Sequence, residues 1–337
     1  MRIFMWVADY SGCGFYRCLL PGSELAKRGH DVMADGRVVP NEVKNGDCDV
    51  VVGQRICNEG ATVTWQKLAR AGHTKLVFET DDLLSDVDRS NRQAARFYDA
   101  DTVERYHKNM AVADVITVTT DRLAEHARSI NATADIVVLP NQVPGWLLGH
   151  EKPAAPDPDL VTIGWRGGAS HLRDFGELAR PLRRFLQHPD YRNRAELHCM
   201  GAPYQERVRS NHSRTRWTGW HESVGDFLRA VDFDLAVIPL RPSIFNEAKS
   251  DLALVEMSAL GIPAIVSDFP GSPYRVVSGY GRPVAHLASK GSDWTEHLRY
   301  LVDNAEAREQ LGKEAREWAA DRTIEANIHR WEKAYSS

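Results

Sequence analysis

The chain has 337 residues, a formal net charge of −4, 43% hydrophobic residues and 26% charged residues. Such a length suits two domains of about 150 residues each. The apolar content argues against general disorder, and the small negative charge argues against a surface that binds nucleic acid as a whole. The composition therefore indicates a globular protein with two domains.

The five cysteines are odd in number and scattered, and no group of Cys and His residues has the spacing of a zinc site. The first ten residues form an apolar run of strand length, shorter than the apolar stretch of a signal peptide. No run reaches the ~18 apolar residues of a membrane span. The sequence therefore predicts a cytoplasmic protein without a membrane span, and it gives no indication of the oligomeric state.

Short apolar runs alternate with amphipathic stretches through the first 150 residues. Strands are predicted at residues 2–7, 49–52, 75–78, 115–119 and 136–139, and helices at 15–28, 62–70, 91–112 and 122–128. Strands of nearly continuous Val and Ile that are separated by helices indicate a parallel sheet covered on both faces. Residues 1–150 are therefore predicted to form a Rossmann-like lobe.

A second lobe follows a proline-rich segment, because three prolines within residues 152–158 are typical of a linker. Beyond this linker (151–158), strands are predicted at 160–164, 196–200, 234–239 and 262–266, and helices at 172–186, 224–230 and 251–260. The fold class is therefore α/β, with two Rossmann-like lobes facing a central cleft and helices at the C-terminus. Ligands of such sheets bind at the carboxyl ends of the strands.

The segment 245–263 carries two unusual charged residues. Lys249 lies near the predicted start of a helix, where the helix dipole disfavours a cation unless an anion bridges them. The amides of that turn, the Ser250 hydroxyl and the Lys249 ammonium would together bind a diphosphate. Glu256 lies among apolar residues of the same helix, and ribose hydroxyls would satisfy a buried carboxylate there. The alternative is that Asp251 neutralises Lys249 and that Glu256 reaches solvent.

This segment resembles the donor-binding segment of retaining GT-B glycosyltransferases of family 4 and its neighbours. The matching residues are Asn246, Lys249, Ser250, Glu256, 259–263, Ser267 and Asp268. In that family a helix presents a glutamate to the nucleotide ribose, and the preceding loop binds phosphates and sugar hydroxyls. Many members have another glutamate eight residues earlier, where this chain has Ala248. The resemblance therefore implies Asn246, Glu247 or Lys249 as the contact to the sugar.

Residues 163–174 resemble the strand, glycine-rich turn and helix that open the second lobe in this family. Glycines in the turn, Gly167 and Gly168 among them, allow a backbone to approach a ligand closely. Arg166 would then face the cleft and stabilise the departing diphosphate. His171 is assigned to the acceptor side, although it and Asp174 could simply pair on one helical face.

Two further segments extend the resemblance to about residue 331. Trp220 lies where the family places a short stretch beside the nucleotide base, although tryptophan is more often a core residue. Residues 321–331 resemble the closing helix of the family, which often crosses back onto the first lobe. The predicted domains are thus an acceptor lobe (1–150), a donor lobe (159–320) and a C-terminal helix (321–337).

The first lobe offers candidate groups after two of its strands. Gly14 belongs to a glycine-rich turn before the first helix, where it would allow close approach of a phosphate or acceptor, and Arg17 could meet an anion. Asp81 and Asp82 follow a buried strand, where adjacent carboxylates need a cation or hydroxyl donors. In this family the loop would face the acceptor, and Asp82 or Asp81 would orient its hydroxyl. The alternative is that Asp82 caps the loop and Asp81 is solvated.

The resemblance implies transfer of a sugar from a nucleotide-diphosphate sugar, with a UDP- or GDP-sugar as the expected donor and with retention at the anomeric carbon. Arg166 and Lys249 would stabilise the leaving diphosphate, and no tightly bound cofactor is expected. A divalent metal is compatible with this reaction but not required. The acceptor is open: a glycan, a lipid-linked sugar, a protein or a modified DNA base. The alternatives are an epimerase-like enzyme and a non-catalytic nucleotide-sugar binding protein.

Overall fold

The computed structural model of the chain describes residues 1–87 and 92–336. The chain divides into two compact units. Unit 1 comprises Met1–Pro144, Glu247–Ser250 and Thr323–Ser337, and unit 2 comprises Gly145–Asn246 and Asp251–Arg322.

Each unit contains a six-stranded sheet in which all pairs of neighbouring strands are parallel. The strands of unit 1, in the order β2-β1-β3-β4-β5-β6, are β1 (Arg2–Trp6), β2 (Asp31–Asp35), β3 (Val50–Gln54), β4 (Lys75–Thr80), β5 (Val115–Val118) and β6 (Asp135–Val138). Those of unit 2, in the order β12-β11-β10-β7-β8-β9, are β7 (Val161–Gly167), β8 (Ala195–Gly201), β9 (Thr215–Thr218), β10 (Leu235–Ile238), β11 (Ala264–Ser267) and β12 (His286–Ala288).

Helices connect the strands, as parallel pairing requires. They are α1 (Gly12–Gly14), α2 (Leu20–Lys27), α3 (Asn41–Lys44), α4 (Glu59–Ala71), α5 (Arg92–Phe97), α6 (Ala100–Met110), α7 (Asp121–Ile130), α8 (Leu172–Gln187), α9 (Val224–Arg229), α10 (Ile244–Glu247), α11 (Leu252–Ala259), α12 (Gly291–Asp303), α13 (Ala305–Ala319) and α14 (Ile324–Ser336). The predicted α/β class with C-terminal helices is confirmed. Within the described residues, no helix has both the length and the apolar composition to cross a bilayer.

The strand orders locate one switch point in each sheet. In unit 2 the strands β8 and β9 lie on one side of β7 and β10 to β12 lie on the other, and in unit 1 β2 lies on one side of β1 and β3 to β6 lie on the other. Ligands of open parallel sheets bind outside the carboxyl ends of the strands at such points. Each unit therefore has its own expected ligand position.

Three strands were missed by the sequence analysis, and all three lie at sheet edges. They are β2, β9 and β12. Strand β2 carries two aspartates and is largely exposed, and β12 has only three residues. An edge strand has a neighbouring strand on one side only and can be partly exposed to solvent. It therefore lacks the continuous apolar run that indicates the inner strands.

The helix predicted at 91–112 is two helices in the described part of the chain, and its first residue, Asn91, lies outside the described residues. The break lies at Asp99, whose side chain accepts a hydrogen bond from the Thr102 amide at 2.9 Å. An aspartate in this N-cap position starts a new helix. The helix predicted at 15–28 also differs, since Phe15–Leu19 has the wider π register directly before Pro21, which has no N–H to donate.

The domain limits predicted from the sequence differ from the compact units. The proline-rich segment 151–158 lies within unit 2, where Lys152 donates to the carbonyl of Phe233 at 3.1 Å. Proline fixes the backbone but does not prevent neighbouring residues from packing. Helix α14 belongs to unit 1, where Glu332 contacts Arg28 and His30.

A stacked histidine pair lies between a strand and a helix of unit 2. His286 of β12 and His297 of α12 have ring centroids 4.6 Å apart, and burial together with His297 lowers the pKa of His286 to about 4. Between about pH 6.5 and about pH 4, the imidazole of His286 binds a proton in the unfolded chain but stays neutral in the folded chain. We expect the free energy of unfolding to fall from about pH 6.5 to about pH 4, by at most about 1.4 kcal/mol per pH unit for this group.

Urea unfolding at a series of pH values measures this slope. His286→Phe keeps an aromatic ring but removes the titrating group, so its slope should be shallower than that of the wild type. His329→Phe, at an exposed position of α14, serves as the control. Equal slopes for His286→Phe and the wild type would contradict the assignment.

Candidate functional site

The switch point of unit 2 carries an ion pair with a buried carboxylate. Arg166 lies near the end of β7, and Glu256 lies on α11, which connects β10 to β11. Their side chains contact each other; that of Glu256 is 1% exposed and that of Arg166 is 18% exposed. The alternative that Glu256 reaches solvent is therefore wrong. A buried carboxylate needs a cation or several donors, and Arg166 provides the cation.

The turn after β7 leaves backbone accessible beside an exposed aromatic ring. A Cβ at Gly168 would meet no atom closer than 3.9 Å, so its backbone is open to approach. Trp220 is 58% exposed and stacks on Phe227 with ring centroids 4.5 Å apart. Trp220 is thus not a core residue. Gly164, in contrast, is needed for packing, because a Cβ there would lie 1.9 Å from the ring of Phe233.

Asp174 joins the turn after β7 to the loop after β10. It is buried, and one carboxylate oxygen accepts from the Arg241 amide at 3.1 Å and from Asn246 Nδ2 at 2.8 Å. The other oxygen lies 2.9 Å from His171 Nδ1. His171 and Asp174 therefore pair, as one of the two interpretations held, and Asn246 is a buried positioning group in this structure.

The segment Glu247–Ser250 belongs to unit 1 and contacts other residues of that unit. Lys249 Nζ lies 3.1 Å from Asp82 Oδ1, and Ser250 Oγ accepts from Asn141 Nδ2 at 2.8 Å. Helix α11 begins at Leu252 with Asp251 as its N-cap residue, so Lys249 lies two residues before the cap. The diphosphate contacts of Lys249 and Ser250 stay predictions.

Asp251 pairs with an arginine of unit 2. Its two carboxylate oxygens accept from Arg322 at 3.0 and 2.9 Å in a bidentate pair within unit 2. Glu247, for its part, lies 4.0 Å from Arg122 in unit 1. The Asp251–Arg322 pair has no local signal in the sequence, because its two residues are 71 positions apart.

A charged cluster follows the strand ends of unit 1. Burial would raise the pKa of Asp81, but the charge of Arg55 and a hydrogen bond from Cys13 outweigh burial and lower it. Burial raises the pKa of the Cys13 thiol well above its usual value. Ligand atoms of Cys13, Asp81 and Asp82 lie close enough to hold a metal ion. Two cations also face these carboxylates: Arg55 lies 3.8 Å from Asp81, and Lys249 lies 3.1 Å from Asp82.

Arg17 does not face a ligand. Its side chain is fully buried; Nε donates to Glu79 Oε1 at 2.7 Å, and Nη1 donates to the Leu139 carbonyl at 2.7 Å. The acceptor role predicted for Arg17 is therefore wrong, because no surface of its guanidinium is accessible. Gly14 is needed for packing, since a Cβ there would lie 1.6 Å from the Asp9 carbonyl oxygen.

Gln54 and Arg55, at the carboxyl end of β3, were not predicted from the sequence. Arg55 has a positive φ of 48°, which is uncommon for a residue with a side chain. Polar residues directly after a buried Val-rich strand were the available signal. The backbone conformation itself has no signature in the sequence.

No protein-family profile matches this sequence, and no curated protein matches it. Solved structures match it over nearly the whole chain. Sucrose-phosphate synthase from Thermosynechococcus elongatus is 13% identical with a TM-score of 0.69, covering 99% of this chain and 98% of the other. Anabaena HepE, solved in complex with UDP-glucose, is 12% identical with a TM-score of 0.68 and full coverage of both chains.

WaaG, a glycosyltransferase involved in lipopolysaccharide biosynthesis, is 13% identical with a TM-score of 0.65, covering 99% of this chain and 98% of the other. These structures are GT-B glycosyltransferases. The chain has the GT-B fold. At this level of identity the comparison shows the fold of the chain, and a fold by itself does not specify a function.

Proposed function

We propose that this GT-B chain is a glycosyltransferase that moves a sugar from a nucleotide-diphosphate sugar to a hydroxyl acceptor. The observation that carries the proposal is the Arg166–Glu256 pair at the switch point of unit 2. A donor nucleotide offers each member a new partner, because ribose hydroxyls donate to Glu256 and the diphosphate accepts from Arg166. The exposed ring of Trp220 offers a stacking surface for the base.

In the proposed reaction the bond between the anomeric carbon and the diphosphate oxygen breaks, and the acceptor oxygen bonds to the same face of the sugar. The acceptor proton passes to the leaving diphosphate oxygen. Arg166 stabilises the negative charge that develops on this oxygen. The solved structure of HepE with UDP-glucose supports a UDP-sugar as the first donor to test.

A thermal-shift screen against UDP-, GDP-, dTDP- and ADP-sugars tests donor binding. A ligand that binds only the folded state adds about 2.7 kcal/mol at 100 times its dissociation constant, so we expect one nucleotide to raise the melting temperature clearly. Glu256→Gln should abolish that rise, whereas the exposed Glu222→Gln should keep it. If no nucleotide sugar stabilises the wild type, the proposal fails.

Product analysis separates transfer from the alternatives. A transferase releases the nucleoside diphosphate and forms a glycoside when an acceptor is present. An epimerase-like enzyme would release an isomerised sugar without any acceptor. A binding protein would bind the donor and leave it intact.

A further inference from the structure

A cavity of about 240 Å³ lies at the switch point of the unit 1 sheet. Its lining includes the ends of β1 and β3 and the region after α5. Three aromatic side chains and three polar ones stand out: Trp6, Phe97, Tyr98, Asp9, Gln54 and Arg55. All of them belong to unit 1, so the cavity is defined by one compact unit.

Gln54 supplies a buried donor without a partner. The residue is 1% exposed, and its Oε1 accepts from the Ala8 amide at 3.0 Å, which fixes the orientation of the side-chain amide. Among the described residues, Gln54 Nε2 has no acceptor within hydrogen-bond distance. A buried amide donor left unsatisfied costs free energy, and native structures almost always satisfy it. A ligand oxygen in the cavity would accept this hydrogen bond.

The charges around the cavity disfavour an anionic ligand. The Arg55 guanidinium contacts Asp9 and lies 3.8 Å from Asp81, so two carboxylates face one cation. Asp9 Oδ1 is also occupied, because it accepts from the amide of Ser11 at 2.9 Å and from its hydroxyl at 2.5 Å. No surplus positive charge remains for a phosphate. The cavity therefore suits a neutral ligand with oxygen acceptors.

The aromatic side chains supply apolar surface for the rest of such a ligand. Trp6, Tyr98 and the exposed Phe97 line the cavity together. Burial raises the pKa of Tyr98 to about 12, so its phenol is neutral at physiological pH. Aromatic rings and polar side chains thus share this lining. A sugar ring combines apolar C–H faces with hydroxyl oxygens and fits this lining.

We propose that this cavity binds one neutral, hydroxyl-bearing ring of the acceptor, a sugar residue without phosphate, and that Gln54 Nε2 donates to one of its oxygens. The inference rests on the proposed function, because it names the class of acceptor in the proposed transfer. The site residues are different from those that were assigned to the acceptor from the sequence.

Titration of ¹⁵N-labelled full-length protein followed by NMR tests the cavity directly. The side-chain amide signals of Gln54 are identified by their loss in Gln54→Leu. The probes are glucose, galactose, mannose and N-acetylglucosamine, each compared with its 6-phosphate. We expect at least one neutral sugar to shift the Gln54 signals, to bind more tightly than its 6-phosphate, and to bind about tenfold more weakly to Gln54→Leu.

Gln310→Leu, at an exposed position of unit 2, is the matched control and should bind as the wild type does. Unresponsive Gln54 signals with every neutral sugar, or tighter binding of the phosphorylated sugars, would overturn the inference. The thermal-shift screen of the wild type keeps the two proposals apart. If nucleotide sugars bind and Gln54 stays unresponsive, only the acceptor assignment fails; if no nucleotide sugar binds, the transferase proposal fails.

Discussion

Arg17→Met should lower the free energy of unfolding of unit 1 by about 3–5 kcal/mol, since removal of one partner leaves a buried charge uncompensated. The side chains of Arg17 and Glu79 are both fully buried, and their contact is 2.7 Å. Arg17 also donates to the Leu139 carbonyl and to Asn141 Oδ1, at 2.7 and 3.0 Å. Urea denaturation followed by circular dichroism measures the loss.

Two further variants show whether the loss comes from the unpaired charge. In Arg17→Met/Glu79→Met both ionic groups are replaced by apolar side chains, so the double variant should be more stable than Arg17→Met alone. Arg209→Ala removes an exposed arginine that pairs with Glu206, and it should change stability little. A single variant as stable as the wild type would show that the buried pair contributes nothing.

Arg17 shows why a buried ion pair cannot be predicted from the local sequence around one of its residues. A glycine-rich turn followed by an arginine is compatible with an anion site, and locally nothing distinguishes that role from a buried pair. The deciding partner, Glu79, lies 62 residues further along the chain. Arg17 lies in the segment that follows β1, and Glu79 lies on β4. The sheet order β1-β3-β4 brings these two residues together only in the folded unit.

The inner strands, in contrast, could be predicted because their burial requires it. Strand β3 (Val50–Gln54) is buried at every position, and a strand covered on both faces is mainly apolar, as residues 50–52 of β3 are. The edge strands β2 and β12 have no such requirement and were missed. Glu256 was singled out as a candidate for a related reason: a carboxylate on an apolar helix face conflicts with its surroundings, and such conflicts are expected at functional positions.

Arg166→Ala should slow sugar transfer by about 10²–10³-fold, the cost of removing one group that stabilises a developing oxyanion. The prediction rests on the proposed function. The same change leaves Glu256 buried without its cation, so it should also lower the free energy of unfolding. Transfer rates under saturating donor and urea unfolding curves measure the two effects separately.

The two roles of Arg166 can be separated by changing both partners. Arg166→Met/Glu256→Leu removes both charges, and we expect stability to return towards that of the wild type while donor binding and transfer stay lost. Arg166→Lys keeps a positive charge but not the planar, bidentate guanidinium, so it should keep more stability than activity. If the double variant recovered transfer together with stability, the pair would be purely structural, and the donor site would have to lie elsewhere.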